Sequence, residues 1–223
     1  MYVYAVVSAG RSPETFRSRS GERFRLVRRG AVAAVVSERA RPSAPSPANL
    51  RRYDRTMREF AERFPAIIPA RFGTWMAEEE LITTLSSRRA ALASALAGVR
   101  GRVQMTVRVV AGRGSRKGDG GHALSGASEA PTSITGRDYL KARARAAAAA
   151  RVVPGFEPVR DAVVRWVRDE RVEHRGAVSS VYHLIPRAST DAYRRAAQTS
   201  ADAAGLRVII SGPWPPYAFS GPE

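Results

Sequence analysis

Apolar residues recur along this chain with two periods, and the switches between them mark out its elements. Tyr2 to Ser8 is rich in Val and Tyr and reads as a strand. Gly10 to Gly21, with Ser and Arg, reads as a loop. Phe24 to Val27 and Ala31 to Ser37 read as two further strands, with Arg29-Gly30 suited to the tight turn between them. Arg41 to Pro47 carries three prolines and reads as a connector. There the period lengthens. Ser46 can cap a helix with Pro47 in its first turn. Leu50, Tyr53, Met57, Phe60 and Phe64 then follow at spacings of three and four, one apolar face that Pro65 brings to an end. Ile67 to Thr74 is a short strand running into a turn, and Pro69 confines it to an edge, a bulge or a strand start. A second helix is predicted from Ala77 to Leu96, with Leu81, Leu85, Leu92 and Leu96 on one face. Glu78, Glu79 and Glu80 complement its positive N-terminal end. Consecutive helical residues point in different directions, so the three do not read as a metal site. Arg102 to Val110 alternates cleanly, with Val103, Met105, Val107 and Val109 on one face.

Ala111 to Ser133 reads as a flexible linker, because Gly112 to Gly121 is of low complexity and lacks the spacing of a phosphate-binding loop. A third helix, rich in alanine, is predicted from Thr135 or Gly136 to Ala150. Pro154-Gly155 breaks it. Phe156, Val159, Val163 and Trp166 mark a fourth helix, on which Asp161, Asp169 and Glu170 read as surface carboxylates paired with arginines. Ala177 to Ile185 is a strand, and Ser189 can cap a fifth helix from Asp191 to Ala204, ended by Gly205. Val208 to Ile210 begins the last strand, which Gly212-Pro213 should stop because proline has no N–H to donate. Beyond it, Pro213, Pro215 and Pro216 stiffen a backbone from which Trp214, Tyr217 and Phe219 stand out. These aromatics either close the protein's own core or form a docking patch. The expected fold class is α+β, in two small domains. Residues 1–111 would form a ferredoxin-like domain, an antiparallel sheet with helices on one face. Residues 112–133 would be the linker. Residues 134–223 would combine helices with a short sheet.

Composition narrows the function. The chain has no cysteine, hence no disulfide, thiolate metal site or cysteine nucleophile. No apolar run approaches the ~18 residues of a membrane span, and Met1 to Ala9 lacks a basic leader region. A cytoplasmic protein is expected. Basic residues outnumber acidic ones 37 to 20, a net charge of +17, and all but Lys117 and Lys141 are arginine. The excess is spread rather than gathered in an arm. It reads either as a surface for an acidic partner, protein or nucleic acid, or as a solvated arginine-rich surface. An RNA-recognition motif needs aromatics on its middle strands, and Arg102 to Val110 has none. The three histidines, His122, His174 and His183, make no helical pair at zinc-binding spacing. His183, within a strand, reads as a satisfied sheet histidine. No G-x-S-x-G elbow is present. The expectation is a non-enzyme with no catalytic, cofactor or metal site.

The order of motifs resembles the gas vesicle GvpL/GvpF family over nearly the whole chain. It runs from Tyr2-Val-Tyr-Ala-Val-Val and Ala33-Ala-Val-Val-Ser-Glu38 to the helix start at Asn49-Leu50. It continues with Ile68-Pro-Ala-Arg-Phe-Gly-Thr74, Gly101-Arg-Val-Gln-Met-Thr-Val-Arg-Val109, Gly136-Arg-Asp-Tyr-Leu140 and His183-Leu-Ile-Pro-Arg187. It ends with Ser211-Gly-Pro-Trp-Pro-Pro-Tyr-Ala-Phe219. The Arg-Phe-Gly-Thr and Gly-Pro-Trp-Pro-Pro-Tyr segments are the specific ones. The resemblance implies a small, cytoplasmic, non-enzymatic accessory protein of gas vesicle formation, built of two α+β domains with the first ferredoxin-like. Its implied partners are the hydrophobic shell protein and other accessory proteins. A partly exposed apolar patch could cover a nascent shell subunit. Phe72, Trp75, Met76, Trp214, Tyr217 and Phe219 are the residues expected to form it, with Arg71 and Arg207 at its rim to meet carboxylates. Alternatively, Arg71 and Trp214 hold the two domains together.

Overall fold

The computed structural model of the chain describes residues 1–8, 10–38, 44–110 and 152–220. The linker expected after Val110, the alanine-rich helix, His122, the Gly136–Leu140 motif and residues 41–43 of the Arg41–Pro47 connector lie outside the described residues.

The first sheet holds β1 (Tyr2–Ser8), β2 (Thr15–Arg17), β3 (Arg23–Arg29), β4 (Val32–Ser37) and β5 (Ile67–Pro69). Its order is β2-β3-β4-β1-β5, antiparallel throughout. Gly30, at φ +61°, takes the left-handed conformation that the β3–β4 turn requires. β2 lies inside the stretch expected to be a loop, and Phe16 anchors it by packing on Phe24, Phe60 and Phe64. Ser46 caps α1 (Pro47–Arg63) as expected, accepting from the Asn49 N–H at 3.2 Å. α1 lays Tyr53, Met57, Phe60 and Phe64 on one face of the sheet, against Tyr2, Tyr4, Phe16 and Phe24. The other face is covered as well. Val3, Val27, Ala34, Val36 and Ile68 pack there against Leu81 and Leu85 of α2 (Glu78–Ser87) and Leu96 and Val99 of α3 (Arg89–Val99). The expectation of helices on one face therefore fails for this sheet. Every residue of β4 is buried, which is what cover on both sides demands. α2 and α3 replace the single helix predicted from Ala77 to Leu96. The Ser86 and Ser87 hydroxyls donate back to the carbonyls of Ile82 and Thr83, a competition that bends helices, and the chain breaks at Arg88.

The second sheet holds β6 (Arg102–Val110), β7 (Asp169–Arg175), β8 (Val178–Pro186) and β9 (Val208–Trp214) in the order β7-β8-β6-β9. With α4 (Glu157–Val163) after β6 and α5 (Thr190–Ala203) after β8, the succession among the described residues is βαββαβ. This is the ferredoxin-like arrangement, and it belongs to the second sheet. Both the placement of this fold in the first 111 residues and the grouping of β6 with the first sheet are thereby corrected. Alternation told which face of β6 is buried but not which strands it would pair with. Its partners β8 and β9 lie far downstream.

Asp169 and Glu170, expected on the fourth helix, instead open β7. It is a charged edge strand, Asp-Glu-Arg-Val-Glu-His-Arg, with no apolar period to announce it. α4 stops at Val163, and α5 starts from a 3₁₀ turn at Arg187–Ser189 rather than from a side-chain cap on Ser189. One face of this sheet buries Val103, Met105, Val107, Val181 and Ile185 beneath Phe156, Val159, Tyr193 and Ala197.

β9 does not end at Gly212-Pro213 as expected. It runs on to Trp214, which pairs with Gln104 across a register shift. An edge position beside a bulge tolerates a missing N–H.

Candidate functional site

The proline-stiffened C-terminal stretch crosses between the two sheets. Pro215 and Pro216 are buried, and Tyr217–Phe219 form a 3₁₀ turn. Phe219 is only 7% exposed and packs among residues of the first sheet together with Leu184 of β8. The Ala218 N–H donates to Gln104 Oε1 of β6 at 2.8 Å. Trp214 lies half-buried beneath the Arg58 guanidinium of α1, 4.1 Å from its ring centroid, a cation–π contact. A second tie runs from Arg187 Nη2 to the Ala61 carbonyl at the end of α1, 2.7 Å. Gly212 makes the crossing possible. It sits at φ +120°, and a Cβ there would lie 2.8 Å from the Gln104 carbonyl oxygen.

The Arg71–Met76 segment is shaped by Gly73, at φ +86°, whose N–H donates to the Tyr2 hydroxyl at 2.9 Å. Thr74 Oγ1 donates to the Arg71 carbonyl at 2.7 Å and closes the turn. Phe72 packs edge-on against Tyr53 at 5.4 Å and against Tyr2 at 6.4 Å. Trp75 forms a backbone bridge with Tyr2 and is 46% exposed, while Met76 is partly buried against the α2 and α3 side. The Arg71 side chain is exposed.

Tyr53 is where the two motifs meet. Its hydroxyl donates to the Ala70 carbonyl at 2.6 Å and the Tyr4 carbonyl at 3.2 Å. Burial pushes its ionisation up, and Tyr217 is the next contributor. Tyr217 is 37% exposed, and its hydroxyl is also pushed up by burial, with Asp54 adding to the effect and Arg58 opposing it. Phe72 and Tyr217 thus lie about Tyr53 at one corner of α1 and β1, with Trp75 beside Tyr2 and Arg71 exposed nearby, whereas Met76 faces the α2 and α3 side instead. Trp214 and Phe219 lie inward of the corner. Arg207 is not part of this corner. It lies just before β9, roughly 20 Å along the strand from Trp214.

A polar cluster that sequence reasoning read only in part lies in the second sheet. His183 is fully buried, with Nδ1 2.6 Å from the Tyr193 hydroxyl and Nε2 2.7 Å from Glu170 Oε2. Arg160 donates to both oxygens of Glu170 at 3.1 Å. Burial alone would push the Glu170 carboxyl up, but hydrogen bonds from His183 and Arg160 outweigh it and hold it down at about 2. His183 is the satisfied sheet histidine expected. Glu170 is its partner and not a surface carboxylate. The assignment of residues 169–170 to a helix hid that partner, whereas a strand places Glu170 directly opposite His183.

The outward face of the two central strands carries Gln104, Thr106, Arg108, Tyr182 and Leu184. Leu184 is buried against the first sheet and Tyr182 packs on the same cluster, so no open row of aromatics is available for stacked bases. Among the described residues, no group of three or more His, Cys, Asp or Glu could hold a metal ion, and no helix is long and apolar enough to cross a membrane.

Comparison with known proteins agrees with this architecture. The crystal structure of the gas vesicle protein GvpF from Anabaena sp. PCC7120 superposes with a TM-score of 0.70 at 13% identity, covering 100% of this chain and 98% of that one. The crystal structure of GvpF from Microcystis aeruginosa gives 0.69 at 11% identity, covering 99% and 98%. At these identities the likeness speaks for the fold. No curated protein matches by sequence. The sequence profile of the gas vesicle synthesis proteins GvpL/GvpF matches residues 1–221, and the chain belongs to that family.

Proposed function

We propose that this chain is a non-enzymatic accessory protein of gas vesicle formation, cytoplasmic or vesicle-associated, that binds the hydrophobic shell protein during assembly or remains as a minor vesicle component. The binding surface in this reading is the aromatic corner of Phe72, Trp75 and Tyr217, with Arg71 steering shell carboxylates from the rim; Met76, turned to the α2 and α3 side, is not part of it. Trp214 and Phe219 contribute indirectly, by fixing where Tyr217 stands. The two sheets then act as two units of one body, dividing at Gly101.

The observation that carries this reading is the exposure of two large aromatics, Trp75 beside Tyr2 and Tyr217 near the rigidly held Tyr53. Large aromatics with a polar tip are favoured at interfaces. An exposed corner of this kind matches the need of a nascent shell subunit, whose apolar surface would otherwise aggregate.

The test is capture of the major shell protein by purified protein, at low and moderate salt, with RNA as competitor. Capture that survives both, and falls in a Trp75→Ala, Tyr217→Ala double variant of unchanged melting temperature, supports the reading. Capture unaffected by the double variant removes the corner from the interface. Binding to RNA alone, lost with salt, returns the arginine excess to electrostatic nucleic-acid binding.

A further inference from the structure

A groove of about 480 Å³ runs along the solvent side of α1 beside the β2–β3 turn. Arginine dominates its lining: Arg19, Arg51, Arg52, Arg55 and Arg58, with Glu59 and Glu62 as the acidic members. Most of these charges are already engaged. Arg19 binds both glutamates, donating its backbone N–H to Glu59 and Nη2 to Glu62, each at 2.8 Å. Arg52 pairs with Glu22 at 3.1 Å, and Arg58 pairs with Asp54 at 2.9 Å while lying over Trp214. Arg51 and Arg55 are left with no carboxylate among the described residues, and both are exposed. They stand one helical turn apart on the same side of α1, at the spacing of i and i+4 neighbours, about 6 Å between Cβ atoms. A second depression, of about 650 Å³, adjoins the first through Ser20 and Arg52 and extends it toward the end of β4. The second depression is lined by Arg23 and Arg25 together with Glu22 and Glu38, and the combined trough is oversized for a single anion.

We propose that this trough is a docking site for an acidic helix of a partner protein, with carboxylates at i and i+4 received by Arg51 and Arg55. Guanidinium and carboxylate pair in a planar, two-bond geometry that lysine cannot match, and the site offers two such forks in register with one helical turn. A protein segment fits better than a polynucleotide. Glu59 and Glu62 on the same lining would repel an unbroken row of phosphates, and no exposed aromatic faces the first depression to stack a base. The trough would take such a helix whether or not the aromatic corner contacts a shell protein, although the two surfaces adjoin through Arg58.

The probe is a fluorescent helical peptide bearing glutamates four residues apart, read by anisotropy against the full chain. The comparators are the same peptide with glutamine in place of glutamate, and a single-stranded RNA of similar charge. The variant Arg51→Glu with Arg55→Glu removes the free pair. The variant Arg88→Glu with Arg168→Glu removes the same total charge from exposed positions elsewhere. The expected result is binding of the glutamate peptide by the unaltered chain, weakened about tenfold or more by the first variant and changed less than about twofold by the second. A milder Arg51→Gln with Arg55→Gln pair should give an intermediate loss. The proposal is overturned if the unaltered chain does not bind the peptide, if both charge-reversal variants weaken it equally, or if the glutamine peptide binds as well. It is likewise overturned in favour of nucleic acid if RNA binds more tightly and is the ligand lost on changing Arg51 and Arg55.

Discussion

The two sheets solve the same burial problem with different chemistry. The first is held by a network of rings. Phe60 alone faces Tyr4, Phe16, Phe24 and Phe64, with centroid separations from 4.9 to 6.2 Å, and the sheet is enclosed by helices on both sides. The second buries an aliphatic layer under two helices on one face and places a hydrogen-bonded His183–Glu170–Arg160 cluster inside it. Its other face is closed in part by the first sheet and the C-terminal crossing. The first unit carries its ring network on one face and shares the other with Leu184 and Phe219. The second depends on polar partners being complete and on a strap that belongs to neither sheet alone.

The sharpest break of this contrast is Phe60→Ala. It removes the hub of the ring network and should cost about 3–5 kcal/mol in urea unfolding. If it costs no more than a peripheral truncation, the ring network is not what holds the first unit.

Phe219→Ala comes next, with an expected loss of about 2–4 kcal/mol, since a buried aromatic leaves a cavity between the sheets. Gly212→Ala should act on the same strap by a different route, costing about 1–3 kcal/mol through the Cβ contact and positive φ. Protease cleavage near the C-terminus should increase in both variants before global unfolding does.

Glu170→Gln should cost about 1–3 kcal/mol near neutral pH, because the buried His183 keeps a partner but Arg160 loses its ion pair. It also sharpens the comparison by pH. The folded Glu170 carboxyl, at about 2, lies below its ordinary 4.5. Its stabilisation is therefore complete above the unfolded value and is lost as pH falls from about 5 toward 2. Unfolding curves across that window should show the parent losing stability faster than Glu170→Gln, so that the gap between them narrows.

The smallest effect belongs to Trp75→Ala. At 46% exposure it should move stability by no more than about 0.5–1 kcal/mol while reducing shell-protein capture. A large melting shift would make Trp75 part of the first unit's fold and not its surface.

Local signals along the chain set α1 almost to the residue: Ser46 and Pro47 start it, a three-and-four stripe carries it, and Pro65 ends it. They also gave the alternation of β6, the turn at Gly30 and the presence of the two aromatic motifs. Each depends on neighbours within a few positions, where steric and capping preferences act. The α+β class followed from these elements, and the aromatic residues of the two motifs could be named. Which of those residues are exposed did not follow, because Trp75, Trp214 and Phe219 look alike as sequence and differ only in what crosses over them.

What only the tertiary structure decided is long-range pairing. β6 joined the second sheet because β8 and β9 offered it hydrogen-bonding edges on both sides, and alternation carries no address. β7 formed from a charged stretch because β8 supplied a ladder and His183 a partner for Glu170. β9 continued through Pro213 because an edge strand can spare an N–H. In each case the deciding energy comes from groups far apart along the chain, so the local pattern could propose an element but not its neighbours.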